Sequence, residues 1–516
     1  MKAFIAAILL LVAQVGSANE KGKEQSDFLT EKQKNEFYSL LISEIERLDA
    51  EIIETRNHSK SVKWDQFVAY YRPHFQSAKN WQELAIAYDI FAQGLVNLHT
   101  RAEFLAVESS SQSVGWLNDE VGFEYPDLKF LLKSNGYQIF AVNGEPISKS
   151  FEYFNNYQCR HNNTAGCAAS YTEFFNSGGI KVNGIPATDL TLINQKGERI
   201  EHALDYNGKP APDPDFMAED YCNKHEGYAG FDTVFEGVNA CLYSNGKEAV
   251  IRLRHFIYPD HQEPSIYCDS EGVTSSYCSD IAGLLKSLHQ LKPEHLIFDM
   301  THNIGGMENS PWLAAFMPQP FKDLPVAYKN TVEITNHDIR NELFYMNPKG
   351  ETWYQKVKSH KGEYFPVRAD FCQGAEDCSL KWIEPRKDHF KADKISIITD
   401  WMCVSSCDDF VWRMKDYAKA KVYGIPPAQD ATYARIKLYL YRDQSGEIKS
   451  KAVGEMTKIE AQDGELLLAV ITMPYSKSVT SDGKLRNIEP VKMKINPYTL
   501  ENQSNYSEAV LKELID

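Results

Sequence analysis

The chain has 516 residues, of which 43% are hydrophobic and 24% are charged. This composition is typical of globular proteins and argues against a disordered, collagenous or coiled-coil chain. At roughly 100–200 residues per domain, the length predicts two to four domains. The formal net charge is −16 and the sequence has no basic run, so we expect no nucleic-acid partner and no anionic-membrane partner.

The first residues have the pattern of a secretory signal peptide. Lys2 supplies a positive charge, Ala3 to Val15 is almost wholly apolar, and Gly16-Ser17-Ala18 supplies the small residues of a cleavage site. We therefore expect residues 1–18 to be removed and the protein to be secreted or periplasmic. No later stretch reaches the ~18 uninterrupted apolar residues of a spanning helix, so membrane insertion is not expected.

The sequence contains ten cysteines, all of them after the predicted signal peptide. In an exported protein an even number of cysteines favours disulfide bonds over metal sites. The spacing suggests local loop disulfides at three pairs, Cys159/Cys167, Cys268/Cys278 and Cys372/Cys378, and leaves the partners of the other cysteines open. Neither C-x-x-C nor H-E-x-x-H occurs, so we expect no metal and no other cofactor.

Residues 19–124 are predicted to form an N-terminal helical domain. Glu31 to Arg47 and Asn80 to Leu98 place apolar residues three and four positions apart with charges between them, which is the pattern of amphipathic helices. The second helix is expected to be capped near Ser77 and to end at Leu98-His99-Thr100.

Residues 125–206 change to a strand-like pattern. Tyr137 to Val142 precedes the tight-turn pair Asn143-Gly144, and residues 190–204 have the pattern of a hairpin. The stretch GYQIFAVNGEPI resembles the strand and turn of PDZ domains, and DLTLINQKGERIEHAL resembles their final hairpin. These segments predict a small PDZ-like β domain with an insertion that carries Cys159 and Cys167. A generic small β unit is the alternative.

Residues 207–516 are predicted to form an α/β core, because strands and helices alternate there. The pattern indicates strands at 249–256, 296–300 and 395–399, helices at 279–290 and 408–417, and a further strand from 421. Continuous apolar strands that alternate with amphipathic helices predict a mainly parallel sheet covered on both faces. In such sheets, functional sites lie at the carboxyl ends of the strands, which here precede the loops 301–306 and 400–407.

Both loops carry residues suited to catalysis. Ser405-Ser406 stands at the start of a helix, where the helix dipole and free backbone N–H groups favour negative charge. A tetrahedral acyl intermediate needs such stabilisation, although either serine could instead simply cap the helix. In the other loop, Gly305-Gly306 lets backbone N–H groups approach a ligand without obstruction by Cβ atoms.

Taken together and in this order, the two loops resemble the signatures of peptidase family S41. That family holds the C-terminal processing proteases, the tricorn core and the chlamydial protease-like activity factor. Its D-x-R-x-N-x-G-G run corresponds to residues 299–306, its T-A-S-A-A-E-x-F run to 403–410, and its V-x-G strand to 422–424. The resemblance implies an α/β fold with a crotonase/ClpP-like β-α core, a helical N-terminal region and a PDZ-like domain.

The resemblance also implies roles for individual residues. Ser405 corresponds to the nucleophile of the family, and Asp408 corresponds to its conserved acid. The N–H of Ser406, together with that of Gly305 or Gly306, would form the oxyanion hole.

The general base is expected to be a histidine. The processing proteases activate their serine with a lysine, but the corresponding position here holds Asp430. The chain therefore resembles more closely the tricorn and chlamydial branch, whose histidine base lies upstream, after the N-terminal helices. Residues 95–100 resemble that element and imply His99 as the base, the alternative being that His99 merely ends a helix. Other candidates for the base are Lys437, His255 and His302.

A third group should orient the imidazole. Related enzymes use a glutamate near the C-terminus, but the position that would carry it reads Lys484. We choose Asp482 for this role, with Glu465 and Asp463 as alternatives.

The predicted function is that of an exported serine endopeptidase acting on peptide or protein substrates, which the PDZ-like domain would bind by strand addition. The alternative is a catalytically inactive protein on the same scaffold that binds peptides or hydrophobic ligands. The missing lysine and Thr301, which replaces the signature arginine, favour that alternative. An acyl-transfer or esterase activity is a third hypothesis, and assembly into a homo-oligomer is left open.

Overall fold

The computed structural model describes residues 28–515, except for 108–114, 183–184, 210–226, 259–267, 269–274, 307–308, 344–347, 371, 373–375, 433, 495, 497 and 504. The predicted signal peptide at residues 1–18 lies outside this part of the chain. Among the described helices, none combines the length and the apolar character needed to cross a membrane.

The described residues form twelve helices and twenty-three short strands. The helices are α1 (Glu31–Leu48), α2 (Ile52–Ser59), α3 (Trp64–Ser77), α4 (Trp81–Gln93), α5 (Ile147–Tyr157), α6 (Thr164–Asn176), α7 (Ser276–Leu291), α8 (Ser310–Phe316), α9 (His337–Leu343), α10 (Pro348–Val357), α11 (Ser406–Tyr417) and α12 (Tyr506–Ile515). The strands are β1 (Arg101–Phe104), β2 (Val121–Glu124), β3 (Lys129–Leu132), β4 (Gln138–Val142), β5 (Glu145–Pro146), β6 (Lys181–Val182), β7 (Ile185–Pro186), β8 (Asp189–Ile193), β9 (Arg199–Ala203), β10 (Asp232–Glu236), β11 (Ala240–Ser244), β12 (Glu248–Leu253), β13 (His295–Asp299), β14 (Phe321–Lys322), β15 (Pro325–Tyr328), β16 (Arg368–Ala369), β17 (Trp382–Ile383), β18 (Lys394–Thr399), β19 (Lys421–Gly424), β20 (Arg435–Arg442), β21 (Ile448–Gly454), β22 (Leu466–Pro474) and β23 (Ser476–Ser478).

Capping side chains mark the first residues of two of the N-terminal helices. Thr30 caps α1 and forms a capping box with Gln33. Asn80, not Ser77, caps α4. Because α4 ends at Gln93, His99 lies beyond the helix, and the alternative that His99 merely ends a helix is wrong.

The N-terminal helices share their core with strands from near the other end of the chain. An antiparallel sheet of order β1-β22-β20-β21 packs its buried side chains against those of α1, α3 and α4 in one cluster. Aromatic residues of the helices and aliphatic residues of the sheet, such as Leu438 and Ile471, make up this cluster. Strands β20 to β22 fall within the range 207–516, but their burial depends on the first helices. The domain boundaries stay a prediction.

The PDZ-like unit is an antiparallel sheet of order β2-β3-β4-β8-β9, with β5 paired to β4. Asn143 and Gly144 have φ angles of 47° and 77°, as the tight turn after β4 requires. The predicted hairpin is β8–β9. The insertion folds as the helices α5 and α6.

The central sheet has the order β10-β11-β12-β13-β18-β19. Its last four strands are parallel, and β10 to β12 are antiparallel. Alternate side chains of these strands point to opposite faces. One face packs against α7, α8 and α11. The other packs against α12 and the PDZ-like unit. The mainly parallel sheet with both faces covered is therefore confirmed, and so is the α/β fold class.

Disulfide bonds close four local loops in the described ranges. The three predicted pairs, Cys159–Cys167, Cys268–Cys278 and Cys372–Cys378, are present. Cys403 and Cys407, whose partners the sequence leaves open, bond to each other. This last disulfide spans the predicted nucleophile.

Because the helices and the sheet share one core, a cavity in a strand of the sheet should destabilise the N-terminal helices as well. Leu438 is fully buried in it, so Leu438→Ala should lower the free energy of unfolding by about 2–5 kcal/mol in urea titrations. Lys437→Ala on the same strand is the matched control and should change the free energy by less than about 0.5 kcal/mol. Amide exchange in α1 should speed up in Leu438→Ala. Unchanged exchange there would show that the first helices form a core of their own.

Candidate active site

Ser405 lies in the turn between β18 and α11, in a backbone conformation that is rare for a residue with a side chain. Its φ is 62° and its ψ is −126°, and such strain concentrates at functional sites. The Ser405 side chain makes no capping hydrogen bond to the helix. Side-chain capping therefore does not explain Ser405, a half-buried residue whose hydroxyl is left for another role.

The two predicted loops interlock beside Ser405. A Cβ atom on Gly305 would lie 2.7 Å from Ser405 Cβ and 2.8 Å from the Ser406 nitrogen, so only glycine fits there. The hydroxyl of Ser406 donates a hydrogen bond to the Gly306 carbonyl at 3.0 Å. The glycine loop and the start of α11 thus lie in direct contact.

Of the N–H groups predicted to form the oxyanion hole, only those without a hydrogen-bond acceptor can bind an oxyanion. The N–H of Gly305 donates to Asn303 Oδ1 at 2.9 Å and is not available to a ligand. In the described part of the chain, the N–H groups of Gly306 and Ser406 have no hydrogen-bond acceptor. The pair Gly306 and Ser406 is therefore the better candidate for holding an oxyanion.

Asn303 explains why the glycine loop keeps its shape. Its side chain is fully buried and donates to the Leu253 carbonyl at the end of β12 at 2.9 Å. The Asn303 carbonyl accepts the Val404 N–H at 3.3 Å. One side chain and its backbone thus tie the ends of two strands to the serine turn.

His99 lies in a turn that wraps around the carboxylate of Asp430. The carboxylate accepts hydrogen bonds from the Asn97 side chain at 2.9 Å and from the Leu98 N–H. His99 Nδ1 lies 2.8 Å from the same carboxylate. Because an ionised carboxylate only accepts hydrogen bonds, Nδ1 carries the proton and Nε2 is left as the proton acceptor.

Asp430 also holds the backbone of the serine turn. Its carbonyl accepts the N–H of Ser405 at 2.8 Å. His99 and Asp430 are 331 positions apart in the chain, yet this one residue contacts both the histidine and the serine segments. Within the described residues no hydrogen bond joins the Ser405 hydroxyl to His99; catalytic hydrogen bonds often tighten only when substrate is bound.

Asp408 holds the backbone segment that carries Asp430. Its carboxylate accepts the N–H of Gln429 at 2.8 Å and that of Asp430 at 3.0 Å. Burial raises the pKa of Asp408 well above its usual range, against the opposing effect of these backbone hydrogen bonds. Asp408 therefore fixes the loop that carries Asp430 and does not itself contact the histidine.

Glu51 is a second buried acid beside Asp430. It accepts a hydrogen bond from the Thr432 hydroxyl at 2.7 Å. Burial, reinforced by the charge of Asp430, raises the pKa of Glu51 well above its ordinary value. The charged form of Glu51 is therefore disfavoured, and the carboxylate that contacts His99 is that of Asp430.

The predicted third residue, Asp482, is not the carboxylate that contacts His99. Asp482 is exposed and pairs with Lys484 at 2.7 Å and with the Thr480 hydroxyl, all within one surface turn. The alternative Glu465 is likewise engaged locally, with the N–H of Gln462. We therefore transfer the orienting role to Asp430.

The other candidate bases occupy different environments. The Nδ1 of His255 accepts the Ile257 N–H at 3.2 Å, and burial lowers the pKa of His255 to about 4. His302 faces Asp400, with 3.4 Å between Nδ1 and Oδ2. Lys437 extends from β20 toward the Thr457 carbonyl at 3.4 Å.

The carboxylate of Asp299, two residues before Thr301, is bound from the adjacent strand. It accepts a hydrogen bond from the Arg252 guanidinium at 2.9 Å and further hydrogen bonds from Thr301 and Tyr228. Burial disfavours the charge of Asp299, but these partners outweigh it and hold the pKa of Asp299 below its ordinary value. The strand end beneath the glycine loop is thus a fixed ion pair although the signature arginine is absent.

Sequence reasoning noticed Asp430 but gave it no role. The usable signal was its position, because an acid occupies the place where the lysine branch carries its base. Glu51, which lies beside that acid, had no signal in the sequence, since it comes from a segment 381 positions away from Thr432.

The sequence matches no protein-family model and no curated protein. Solved structures do match. The structure of mature CPAF, the chlamydial protease-like activity factor, complexed with lactacystin has a TM-score of 0.55 at 15% identity, over 94% of this chain and 98% of that chain. Mature CPAF alone has a TM-score of 0.56 at 15% identity, over 94% and 97% of the two chains. The chain therefore has the fold of mature CPAF over nearly its whole length.

Proposed function

We propose that the protein is a serine peptidase that hydrolyses peptide bonds of peptide or protein substrates. The observation that carries the proposal is the double role of Asp430. Its carboxylate orients the His99 ring, and its carbonyl holds the backbone of Ser405. A serine in a strained turn, a histidine with a free Nε2 and two free N–H groups meet the requirements of acyl transfer.

In the proposed reaction, the Ser405 hydroxyl attacks the carbonyl carbon of the substrate peptide bond, and His99 Nε2 takes the hydroxyl proton. The N–H groups of Gly306 and Ser406 stabilise the oxyanion of the tetrahedral intermediate. His99 then gives the proton to the leaving amine. Water enters, loses a proton to His99 and releases the acyl group from Ser405 by the same steps.

Asp430 is suited to the role of the third group. Its carboxylate is in hydrogen-bond contact with the Asn97 side chain, the Leu98 N–H and His99 Nδ1, and the raised pKa of Glu51 disfavours a second charge beside it. A carboxylate in such a position fixes the tautomer of the imidazole and stabilises the imidazolium that forms during the reaction.

The proposal includes export of the protein and cleavage within the substrate chain, that is, endopeptidase action. The four disulfides in the described ranges support an oxidising compartment, because cytosolic thiols are kept reduced. The PDZ-like sheet supports engagement of an extended substrate by strand addition.

The inactive binding protein remains the second candidate. The absence of a hydrogen bond between the Ser405 hydroxyl and His99 in the described structure favours it. Two features of the structure count against it. Arg252 supplies a guanidinium to Asp299 beside Thr301, and Asp430, which stands at the position of the missing lysine, contacts His99.

A serine-reactive phosphonate probe separates the two candidates. We expect covalent labelling that peptide mapping assigns to Ser405, and no labelling in Ser405→Ala. In His99→Ala the labelling rate should fall by about 10³-fold or more, since an unassisted serine is a poor nucleophile. Folded protein without any labelling would reject the peptidase and leave the binding protein.

The two buried acids allow a matched comparison. Asp430→Asn should lower kcat for a peptide substrate by about 10⁴-fold, because an amide favours the wrong tautomer of His99. Glu51→Gln should lower kcat far less, because Gln preserves an uncharged side chain of the same shape. Equal losses in the two variants would contradict the assignment of the charge to Asp430.

The raised pKa of Glu51 makes stability depend on pH. The folded state retains a proton that the unfolded state releases above the ordinary pKa of 4.5. The contribution of Glu51 to the free energy of unfolding is complete below that pH. As pH rises toward the pKa of Glu51 in the folded state, the free energy of unfolding falls by about 1.4 kcal/mol per pH unit. Urea titrations from pH 4 upward should show wild type losing stability relative to Glu51→Gln. Parallel curves for the two proteins would contradict a buried, protonated Glu51.

A further inference from the structure

The disulfide-closed loop of residues 159–167, which runs from the end of α5 into the first turn of α6, contacts the two segments that carry His99 and Asp430. It belongs to the insertion in the PDZ-like unit, and Cys159–Cys167 closes it. Three of its side chains donate hydrogen bonds to backbone carbonyls outside the unit. Those carbonyls lie in the two segments that carry His99 and Asp430.

The first contact is to the histidine segment. Arg160 donates through one guanidinium nitrogen to the Thr100 carbonyl at 3.2 Å, and Thr100 is the residue after His99. The opposite side of that turn is held by Asp430 through Asn97 and Leu98. The backbone on both sides of His99 is therefore fixed from outside its own turn.

The other contacts are to the aspartate segment. Asn162 Nδ2 donates to the Gln429 carbonyl at 3.1 Å, and Asn163 Nδ2 donates to the Pro427 carbonyl at 3.1 Å. Gln429 is the residue before Asp430. The N–H groups of this segment are bound by Asp408 on the other side, so the strand of backbone that presents Asp430 is held between Asp408 and the loop.

The loop itself is braced. Asn163 Oδ1 caps α6 through the Gly166 N–H at 2.7 Å. Lys60 Nζ lies 3.0 Å from Cys167 Sγ and 2.9 Å from Asn155 Oδ1. The disulfide, the cap and the buried lysine keep the donors of Asn162 and Asn163 in place.

We propose that residues 159–167 are a positioning loop, in which Arg160, Asn162 and Asn163 set the geometry of the His99–Asp430 pair. This inference rests on the proposed peptidase function. The loop touches neither the Ser405 hydroxyl nor the oxyanion N–H groups, so it acts on turnover through the orientation of the imidazole. It also joins the PDZ-like unit directly to the catalytic pair.

The test uses a double variant that removes two donors and keeps the fold. Asn162→Ala removes the contact to Gln429. Asn163→Ser removes the contact to Pro427, while serine can still cap α6. With the full-length exported protein and a peptide substrate, we expect kcat to fall by roughly 10²-fold with KM nearly unchanged, because orientation is lost and not substrate binding.

Asn194→Ala is the matched control. Asn194 is an asparagine of the same PDZ-like unit, and its hydrogen bonds stay within the β8–β9 turn. This variant should keep the wild-type kcat. Equal losses in the control and in the double variant would assign the effect to general loosening of the unit and overturn the proposal.

A spectroscopic readout does not depend on turnover. In protein with ¹⁵N-labelled histidine, the resonance of the Nδ1-bound proton of His99 reports its hydrogen bond to Asp430, and His99→Ala identifies it by its loss. The double variant should shift or broaden this resonance. If wild type shows the resonance but neither cleaves peptide nor reacts with the phosphonate, the peptidase function fails while the positioning role stands. An unchanged kcat together with an unmoved resonance overturns the positioning role.

Discussion

The structure of the site depends on the placement of one buried carboxylate. Asp430 binds the His99 ring with its side chain, the Ser405 N–H with its carbonyl, and the Asp408 carboxylate with its own N–H. The carboxylate, the carbonyl and the N–H of Asp430 thus each bind a different residue: His99, Ser405 and Asp408. A displacement of this backbone would move the histidine and the serine together, which explains why so many buried contacts hold it.

Electrostatics decides how so many acids can share one region. Glu51, Asp408 and Asp430 are all buried, and three adjacent negative charges in a poorly solvated site would repel one another strongly. Burial raises the pKa of Glu51 and of Asp408, which disfavours the charged form of these two acids. The Asp430 carboxylate is the one that contacts the imidazole. Asp299, a further buried acid, is instead paired with Arg252 from the neighbouring strand.

The positions of the loops follow from the topology of the sheet. Parallel pairing of β12, β13 and β18 brings their carboxyl ends to one edge, where the glycine loop and the serine turn meet. The turn after the N-terminal helices and the insertion of the PDZ-like unit, which both precede the central sheet in the sequence, contact the segment that carries Asp430. His99 comes from the first, and the positioning loop comes from the second.

The sequence by itself determined the local elements and the two loops that carry chemistry, because hydrophobic periodicity and the order of short motifs are local properties. It predicted the parallel sheet, the tight turn at Asn143-Gly144, three disulfides and the serine turn. It also noticed Asp430 at the position of the missing lysine. Only the tertiary structure decided that Asp430, not Asp482, contacts the histidine and that Gly306, not Gly305, has the free N–H. Those outcomes depend on which groups meet across hundreds of positions and which donors are already engaged, and neither is encoded by spacing along the chain.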